Sequence, residues 1–322
     1  MHPVTDLTME YLAYCISPKK LDKKTIKAYR IDLAQFVQFS SSFDSPFSIE
    51  CIREHIRCLQ STFAPNTSKR KIASVKAFFF YLEEMKILPV GENPFHMIKM
   101  KYKEPKKLPA TIPTNILVLF FRSLYSELCD ARTPFAKKTA ARNVAVIELL
   151  FATGVRISEL CNLRPEQLDL YGQSVRVWGK GARERIIPIE NQDVLNALRY
   201  YISLHTDEIQ KCGCLFVNSR GHRYSEQSAR NMIRRHRDNC HISLRIIPHM
   251  FRHTFASSFV DADVDIRVIQ TLMGHSSIKT TEIYTSVSTT QKRKVIAQKH
   301  LRNSLHAEVP SPFSADDKAA SL

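Results

Sequence analysis

Residues 272–284 read LMGHSSIKTTEIY, which places His275 nine residues before Tyr284. Upstream, residues 249–252 read HMFR and residues 154–160 read GVRISEL. The three segments supply two arginines, two histidines and a tyrosine in a fixed order. The arginine guanidinium is a planar fork for phosphate oxygens, and a tyrosine hydroxyl can form a phosphate ester. These residues therefore indicate a site that could hold one phosphodiester and attack it covalently.

The charge of the chain favours a nucleic-acid partner. Its 322 residues include 47 Lys and Arg against 31 Asp and Glu, a formal net charge of +16. Basic side chains that neutralise phosphates release counterions, so such an excess favours a polyanion. A basic protein without such a partner is the alternative. The hydrophobic content of 44% is enough for ordinary cores, and the length suits two domains.

The sequence carries no recognisable signal for a membrane or for secretion. The longest apolar run that we find, residues 116–121, is far shorter than a membrane span, and the N-terminus lacks a signal-peptide pattern. We therefore expect a cytoplasmic protein, associated with the bacterial nucleoid, that has reduced cysteines and no membrane partner. The closest cysteines, Cys212 and Cys214, lack the two-residue gap of a zinc knuckle, so no metal site is predicted.

Residues 1–100 are predicted to form an all-helical domain. Apolar residues recur at helical spacing in residues 21–39 and, over a shorter span, in residues 51–60. Another helix is predicted to start near Asn66 or Thr67, either of which could cap it. Basic residues lie largely off the apolar stripes and form either an ordinary solvated surface or a DNA-binding face. The candidate DNA contacts are Lys69, Arg70, Lys71 and Lys76 here, with Arg230 and Arg234 in a later helix.

Residues 101–113 are predicted to be a basic linker between two domains. Their sequence, KYKEPKKLPATIP, has three prolines and four lysines, so it cannot continue a helix and favours an extended connector. The domain that follows is predicted to cover residues 114–306. Residues 307–322 are rich in Ser, Pro and Ala and are predicted to be a disordered tail.

Residues 114–306 are predicted to combine helices with a small antiparallel sheet. Residues 174–178 and 185–189 are strand-like, and the segment between them predicts a hairpin with Lys180 flanked by two glycines. Residues 215–217 are a candidate third strand. The whole chain is therefore predicted to be mainly α with a small antiparallel β-sheet. A loop is predicted at residues 162–170, and helices at residues 114–129, 138–151, 225–236, 248–260, 265–273 and 291–303.

The candidate site residues have ordinary alternatives when each is taken alone. His249 and Arg252 are three residues apart and share a helix face. Arg156 and Arg252 could form structural ion pairs, and Tyr284 could be a half-buried tyrosine. A hairpin-tip lysine such as Lys180 could be solvated, or it could carry an ammonium group to a leaving oxygen. Their order along the chain is what favours catalysis.

Taken together, these segments resemble the tyrosine recombinase family of phage integrases, integron integrases and Xer-type chromosome resolvases. The matching segments are residues 153–160, 177–188, 248–256 and 272–284. The N-terminal helices and the linker also resemble that family's core-binding domain and connector. The resemblance implies an all-helical, SAM-like core-binding domain followed by an α+β tyrosine recombinase catalytic domain.

The resemblance implies that Tyr284 is the nucleophile of a strand-cleavage reaction and that Lys180 protonates the departing 5′-hydroxyl. A free tyrosine has a pKa of about 10, so it needs help to attack at neutral pH. The implied product is a 3′-phosphotyrosyl link, which a 5′-hydroxyl of a partner strand later attacks. The ester conserves the bond energy, so neither a metal nor a nucleotide cofactor is required.

The resemblance also implies a phosphate grip around the scissile bond. Arg156 and Arg252 would hold the non-bridging oxygens and offset the charge of the pentavalent transition state. His249 and His275 would hydrogen-bond the same phosphate, with His249 the better candidate for proton transfer. Glu159, three residues after Arg156, matches an acidic position that supports the family's active site.

The implied partner is double-stranded DNA with specific recombination sites. The resemblance implies a homo-oligomer with two protomers on each site and a tetramer in the synapse. A second recombinase or an accessory DNA-bending protein could join it. Three alternatives stay open: a type IB topoisomerase, a catalytically idle DNA-binding or accessory protein, and a metal-dependent transposase or nuclease. The last would need a carboxylate cluster, which we do not find in the sequence.

Overall fold

The chain divides into two compact units, residues 1–106 and 107–322. The structure is a computed structural model that describes residues 4–98, 110–179, 184–262, 264–274 and 289–304. Most of the predicted linker and the whole predicted tail lie outside the described residues. The predicted fold class is confirmed, because both units are built mainly of helices and the second adds a small antiparallel sheet.

The first unit is all-helical. Two of its helices start at side-chain caps, where Asp22 accepts a hydrogen bond from Lys24 N and Ser48 accepts one from Cys51 N. The predicted caps Asn66 and Thr67 are wrong, because the helix begins at Pro65, whose missing N–H suits a first helical position. The helices are α1 (Val4–Ile16), α2 (Lys23–Ser40), α3 (Ile49–Thr62) and α4 (Pro65–Glu84), with a 3₁₀ turn at Pro94–His96.

A buried acidic group organises the basic residues of α4. The side chain of Asp32 on α2 is fully buried and accepts hydrogen bonds from Arg70, from Lys71 Nζ at 3.2 Å and from Ser74 Oγ at 2.7 Å. Lys71 is itself buried and also bonds Gln35. Lys71, predicted as a DNA contact, thus lies in the core of the first unit, where its ammonium compensates a buried carboxylate.

His55 on α3 lies in the aromatic core of the first unit. It packs against Phe36 and Phe39, and its Nδ1 has no hydrogen-bond partner in the described part of the chain. Burial, helped by the charge of Lys71, lowers the pKa of His55 to about 4. The folded unit therefore holds this imidazole neutral.

This lowered pKa predicts that the first unit loses stability in mild acid. Below pH 6.5 the unfolded imidazole binds a proton that the folded one refuses, so stability falls with pH until about pH 4. Between pH 7 and pH 5 the contribution of His55 should be a loss of about 2 kcal/mol. Hydrogen-exchange protection of α2 and α3 measures it in the intact chain. His55→Phe, which keeps an aromatic ring among Phe36 and Phe39, should remove that part of the pH dependence; an unchanged dependence would contradict the prediction.

The second unit is built around α6, a helix buried along most of its length from Ala140 onward. It packs against α5, α8 and α10. Ile112, at the end of the predicted linker, is buried in this unit, and its N–H donates to Thr254 Oγ1 at 2.9 Å. The helices are α5 (Thr114–Cys129), α6 (Pro134–Thr153), α7 (Ile157–Cys161), α8 (Gln192–Cys212), α9 (Glu226–Asn239), α10 (Pro248–Asp261), α11 (Ile266–Met273), α12 (Thr289–Lys299) and α13 (Leu301–Ser304). Within the described residues, no helix is long and apolar enough to cross a membrane.

The sheet has three antiparallel strands in the order β1-β2-β3: β1 (Leu168–Asp169), β2 (Ser174–Trp178) and β3 (Glu184–Pro188). Val175 pairs with Leu168 on one side and with Ile187 on the other. The two strands of the predicted hairpin thus pair, and Trp178 pairs with Glu184 at the end next to the connecting segment.

The predicted third strand at residues 215–217 is wrong, and the segment predicted as a loop supplies β1 instead. The hydroxyl of Tyr201 on α8 donates to Leu215 O and accepts from Val217 N, both at 3.0 Å. Val217 forms only an isolated bridge to Arg223. A buried side chain therefore satisfies backbone groups that the sequence pattern assigned to a sheet.

The helix that follows residue 288 packs on its own chain. Ile296 of α12 is buried in the second unit, and Arg293 bonds Glu190 Oε1 at 3.0 Å. His300, just after α12, is buried among Phe151, Phe255 and Phe259. The helix therefore completes the core of its own unit.

Candidate active site

Arg156 is positioned by a sharp turn between α6 and α7. Gly154 ends α6 in the left-handed conformation with φ +59°, and a Cβ there would lie 2.7 Å from Phe255 Cδ1. Glycine is therefore required for both the backbone angle and the close packing on α10. Two residues later Arg156 opens α7, and its N–H donates to Glu159 Oε2 at 2.9 Å.

Glu159 lies between two guanidinium groups. Its Oε1 accepts from Arg156 Nη1 at 2.7 Å, and its Oε2 accepts from Arg185 Nη2 at 2.7 Å. The side chain is 8% exposed, against 33% for Arg156 and 7% for Arg185. Burial alone would raise the pKa of Glu159, but hydrogen bonds from Arg185 and Arg156 outweigh it and hold that pKa below its usual value. The carboxylate is therefore ionised and faces two cations.

Arg252 on α10 is a buried guanidinium held by backbone carbonyls. Nη1 donates to Gly154 O at 2.7 Å, and Nη2 donates to Met273 O at 2.5 Å. Burial lowers the pKa of Arg252 to about 10, and the nearby charges of Arg156 and Arg185 act in the same direction. Arg252 thus remains cationic at neutral pH, and two carbonyls leave three of its five N–H donors for other acceptors.

Two histidines lie on the same helix as Arg252. Pro248 begins α10, and His249 follows it with an exposed side chain. His253, one turn further on, is half-buried. Burial lowers the pKa of His253, and the charges of His249 and Arg252 add to that effect. The helix therefore presents an accessible imidazole one turn before the buried arginine.

The structure thus brings four of the seven predicted active-site residues to one region, namely Arg156, Glu159, His249 and Arg252. Lys180, His275 and Tyr284 lie outside the described residues. Strands β2 and β3 flank the segment that contains Lys180, and α11 ends at Gly274, the residue before His275.

Arg185 is the residue of this region that the sequence analysis missed. It alternates along β3 with the buried Ile187, so the two-residue period of a strand places it on the interior face. An arginine at such a position needs an acidic or carbonyl partner. That alternation was the available signal.

The candidate DNA contacts outside the active site are mostly on the surface. Arg230 and Arg234 are exposed and four residues apart on α9, so they share one helix face. Arg230 pairs with Glu226 at 2.8 Å. In the first unit Lys69, Arg70 and Lys76 are exposed, although Arg70 also bonds the buried Asp32.

The electrostatics of the region favour an anion. Three guanidinium groups, those of Arg156, Arg185 and Arg252, face one another around a single carboxylate, that of Glu159. One carboxylate neutralises only one of the three charges. Since arginine donors match phosphate oxygens in geometry, the arrangement can hold a phosphodiester and stabilise additional negative charge on it.

Known proteins share both the sequence and the fold of this chain. The family described as "Phage integrase family" matches residues 122–291, and "Phage integrase, N-terminal SAM-like domain" matches residues 9–86. A tyrosine recombinase of Agathobacter rectalis is 44% identical over 92% of this chain and 96% of its own length. Tyrosine recombinase XerC of Myxococcus xanthus is 32% identical over 94% of this chain and 100% of its own length.

A solved structure has the same fold. XerH site-specific recombinase, bound to a palindromic difH substrate in a post-cleavage complex, superposes with a TM-score of 0.68. The match covers 90% of this chain and 84% of XerH at 19% identity. With the sequence matches over nearly the full length, it follows that this chain belongs to the phage integrase family of tyrosine recombinases, enzymes that cleave and rejoin DNA at specific sites.

Proposed function

We propose that this recombinase cleaves one DNA strand at a time through a covalent bond to Tyr284. The observation that carries the proposal is the proximity of two arginines: Arg156 bonds Glu159, and Arg252, held by Gly154 O, lies within range of the charge of Arg156. His249 lies on the same helix as Arg252. Such a cluster of positive charge suits a phosphodiester whose charge increases in the transition state. The spacing of His275 and Tyr284 after α11 supplies the nucleophile from the sequence.

In the proposed cleavage step, the phenolic oxygen of Tyr284 bonds to phosphorus and the bond from phosphorus to the 5′-oxygen breaks. The phenolic proton passes to His249, and Lys180 gives a proton to the departing 5′-hydroxyl. Arg156, Arg252 and His275 hold the non-bridging oxygens throughout. The product is a 3′-phosphotyrosyl ester and a free 5′-hydroxyl.

Rejoining runs the same steps in reverse with a different strand. A 5′-hydroxyl from the partner site attacks the phosphotyrosyl phosphorus, and Tyr284 leaves with its proton restored. Because the ester retains the energy of the broken bond, no nucleotide is consumed. The arginines take the electrostatic role that a metal ion has in other phosphoryl-transfer enzymes, and Lys180 protonates the leaving oxygen that a metal would otherwise stabilise.

We further propose how the chain engages DNA. Residues 1–100 would form the core-binding domain, residues 101–113 the linker, residues 114–306 the catalytic domain and residues 307–322 a tail. The phosphates of DNA would be contacted by the surface residues Lys69, Arg70, Lys76, Arg230 and Arg234. The protein would act at the bacterial nucleoid. Two protomers would bind each site and four would form the synapse, with a second recombinase or a DNA-bending protein as further partners. The DNA-bound complexes of XerH support the DNA partner.

Two competing activities share part of this account. A type IB topoisomerase would use the same covalent chemistry but reseal the original strand without exchanging partners. A catalytically idle accessory protein would bind DNA without forming an adduct. The family membership favours recombination over both.

The test begins with covalent trapping on fragments of the DNA that flanks the gene, which identifies the site. A plasmid with two directly repeated copies of that site is then incubated with the protein in excess EDTA. We expect two smaller circles, because strand exchange needs paired sites and no metal. Relaxation without circles would favour the topoisomerase, and loss of all cleavage in EDTA would favour a metal-dependent enzyme. A plasmid with a single site is the control for pairing.

A further inference from the structure

Arg185 is a buried arginine that joins three parts of the catalytic unit. From strand β3 its Nη2 and Nη1 donate to the two oxygens of Glu159, at 2.7 and 3.3 Å. Its Nε donates to Leu272 O, near the end of α11, at 3.1 Å. A Cβ on Gly274, the residue that ends α11, would lie 3.0 Å from the Arg185 side chain, so the Gly274 backbone lies close against it.

We propose that Arg185 is a positioning residue for strand cleavage: it keeps the Arg156 guanidinium available to phosphate and fixes the end of α11. In this proposal Arg185 acts through Glu159 and the end of α11 and not through contact with the substrate. The inference rests on the proposed function, because the group that it positions, Arg156, is there assigned to the scissile phosphate.

The first argument concerns how Glu159 shares its oxygens. Arg156 donates to Oε1 of the carboxylate through a single guanidinium nitrogen, Nη1, and its backbone N–H donates to Oε2. Arg185 donates to Oε2 through Nη2 and to Oε1 through Nη1. Arginine and carboxylate otherwise favour a two-point fork. Without Arg185, the guanidinium of Arg156 could turn into that fork and withdraw from the phosphate.

The second argument concerns the carboxyl end of α11. Arg185 donates to Leu272 O while Arg252 donates to Met273 O, so two cations hold successive carbonyls of the last turn. Cations are favourable there, because the helix dipole is negative at that end and its last carbonyls lack helical partners. Arg185 therefore links the last turn of α11, whose Met273 O holds Arg252, to the carboxylate of Glu159.

The third argument concerns burial. The Arg185 side chain is only 7% exposed, and its neighbour on the same face of β3 is the buried Ile187. Burying a guanidinium is costly, and an apolar side chain at such a position would often give equal or greater stability. A buried cation at this place is thus better explained by what it orients than by stability.

The test compares Arg185→Gln and Arg185→Lys with the wild type in single-turnover cleavage of a nicked suicide substrate that carries the trapped site. Arg185→Gln should cleave about 10²-fold more slowly, the loss that a misplaced catalytic group can cause. DNA affinity, measured by gel shift, should stay at the wild-type level because Arg185 is buried. The matched control is Arg235→Gln, which removes an arginine paired with Glu127 at 2.7 Å on the surface of the same unit and should leave cleavage unchanged.

Arg185→Lys keeps the positive charge, and it provides the test if the Arg185→Gln variant fails to fold. A lysine ammonium cannot span both Glu159 and Leu272 O with a planar fork, so cleavage should fall about tenfold, between wild type and glutamine. Combined with Glu159→Gln, the lysine change should add little further loss, because both act on the same group. Wild-type cleavage by Arg185→Lys, or fully additive losses, would overturn the proposal.

A modified substrate separates the role of Arg185 from that of Lys180, which lies between β2 and β3 in the sequence. A bridging 5′-sulfur leaves without a proton, since a thiol is far more acidic than an alcohol. It should rescue Lys180→Ala and leave both Arg185 variants slow. Rescue of Arg185→Lys by sulfur would show that Arg185 acts through Lys180, and would overturn the proposal. If wild type itself forms no adduct, the proposed function fails instead, so the two failures are distinct.

Discussion

Replacing Tyr284 with phenylalanine should abolish covalent cleavage while leaving DNA affinity at the wild-type level. The change removes one hydroxyl, the atom that would become the ester oxygen, and no other group of the phosphate pocket can replace it. The measurement is denaturing electrophoresis of protein bound to a nicked suicide substrate, alongside a gel shift under the same conditions. Wild type should accumulate an adduct and Tyr284→Phe should show none.

Tyr171→Phe is the matched control for this prediction. Tyr171 lies between β1 and β2 in the same unit, and its side chain is 100% exposed. Loss of its hydroxyl should leave adduct formation unchanged. An adduct that persists in Tyr284→Phe would remove Tyr284 as the nucleophile, whatever the fate of the rest of the site.

Truncating the phosphate grip should impair chemistry far more than binding. Arg156→Ala and Arg252→Ala each remove a preorganised donor from the scissile phosphate, which typically costs about 10²–10³ in rate. Each contacts one phosphate among many, so affinity should change little. Single-turnover cleavage and gel shift on the same substrate give the two quantities. Equal losses of rate and affinity would indicate a structural role.

The two substitutions differ in how much stability the protein should lose along with the catalytic rate. Arg156 is one-third exposed, so its removal disturbs less packing than the removal of Arg252. Arg252 is buried, and its removal leaves Gly154 O and Met273 O without a donor, a loss of about 1–3 kcal/mol for each buried unsatisfied group. Arg252→Ala should therefore lower the melting temperature more than Arg156→Ala does. A melting temperature equally lowered in both would mean that Arg156 is part of the core.

Local signals in the sequence predicted the helices near the site well. Helix α11 begins after Asp265, whose carboxylate accepts from Arg267 N at 2.8 Å, and it ends at Gly274 with φ +61°. Both features depend on residues within one helical turn, as does the start of α10 at Pro248. Such signals are local, so a single sequence contains them.

The errors have a common physical cause, because each depends on a partner far along the chain. Residues 215–217 look like a strand, but Tyr201 satisfies their backbone. Lys71 looks like a surface lysine on a basic helix, but Asp32, 39 residues earlier, draws it into the core. Arg185 looks like part of a hairpin, but its partners are Glu159 and Leu272. Tertiary contacts override local pattern at these positions.

The most direct test of the central claim is to locate the covalent bond. Wild-type protein is trapped on a nicked suicide substrate in excess EDTA, and the adduct is digested with trypsin and nuclease and analysed by mass spectrometry. The account predicts a 3′-linked nucleotide on Tyr284, within the tryptic peptide of residues 280–292, and a free 5′-hydroxyl on the released strand. A nucleotide on another residue, a 5′-phosphoryl link, or cleavage without any adduct would contradict it.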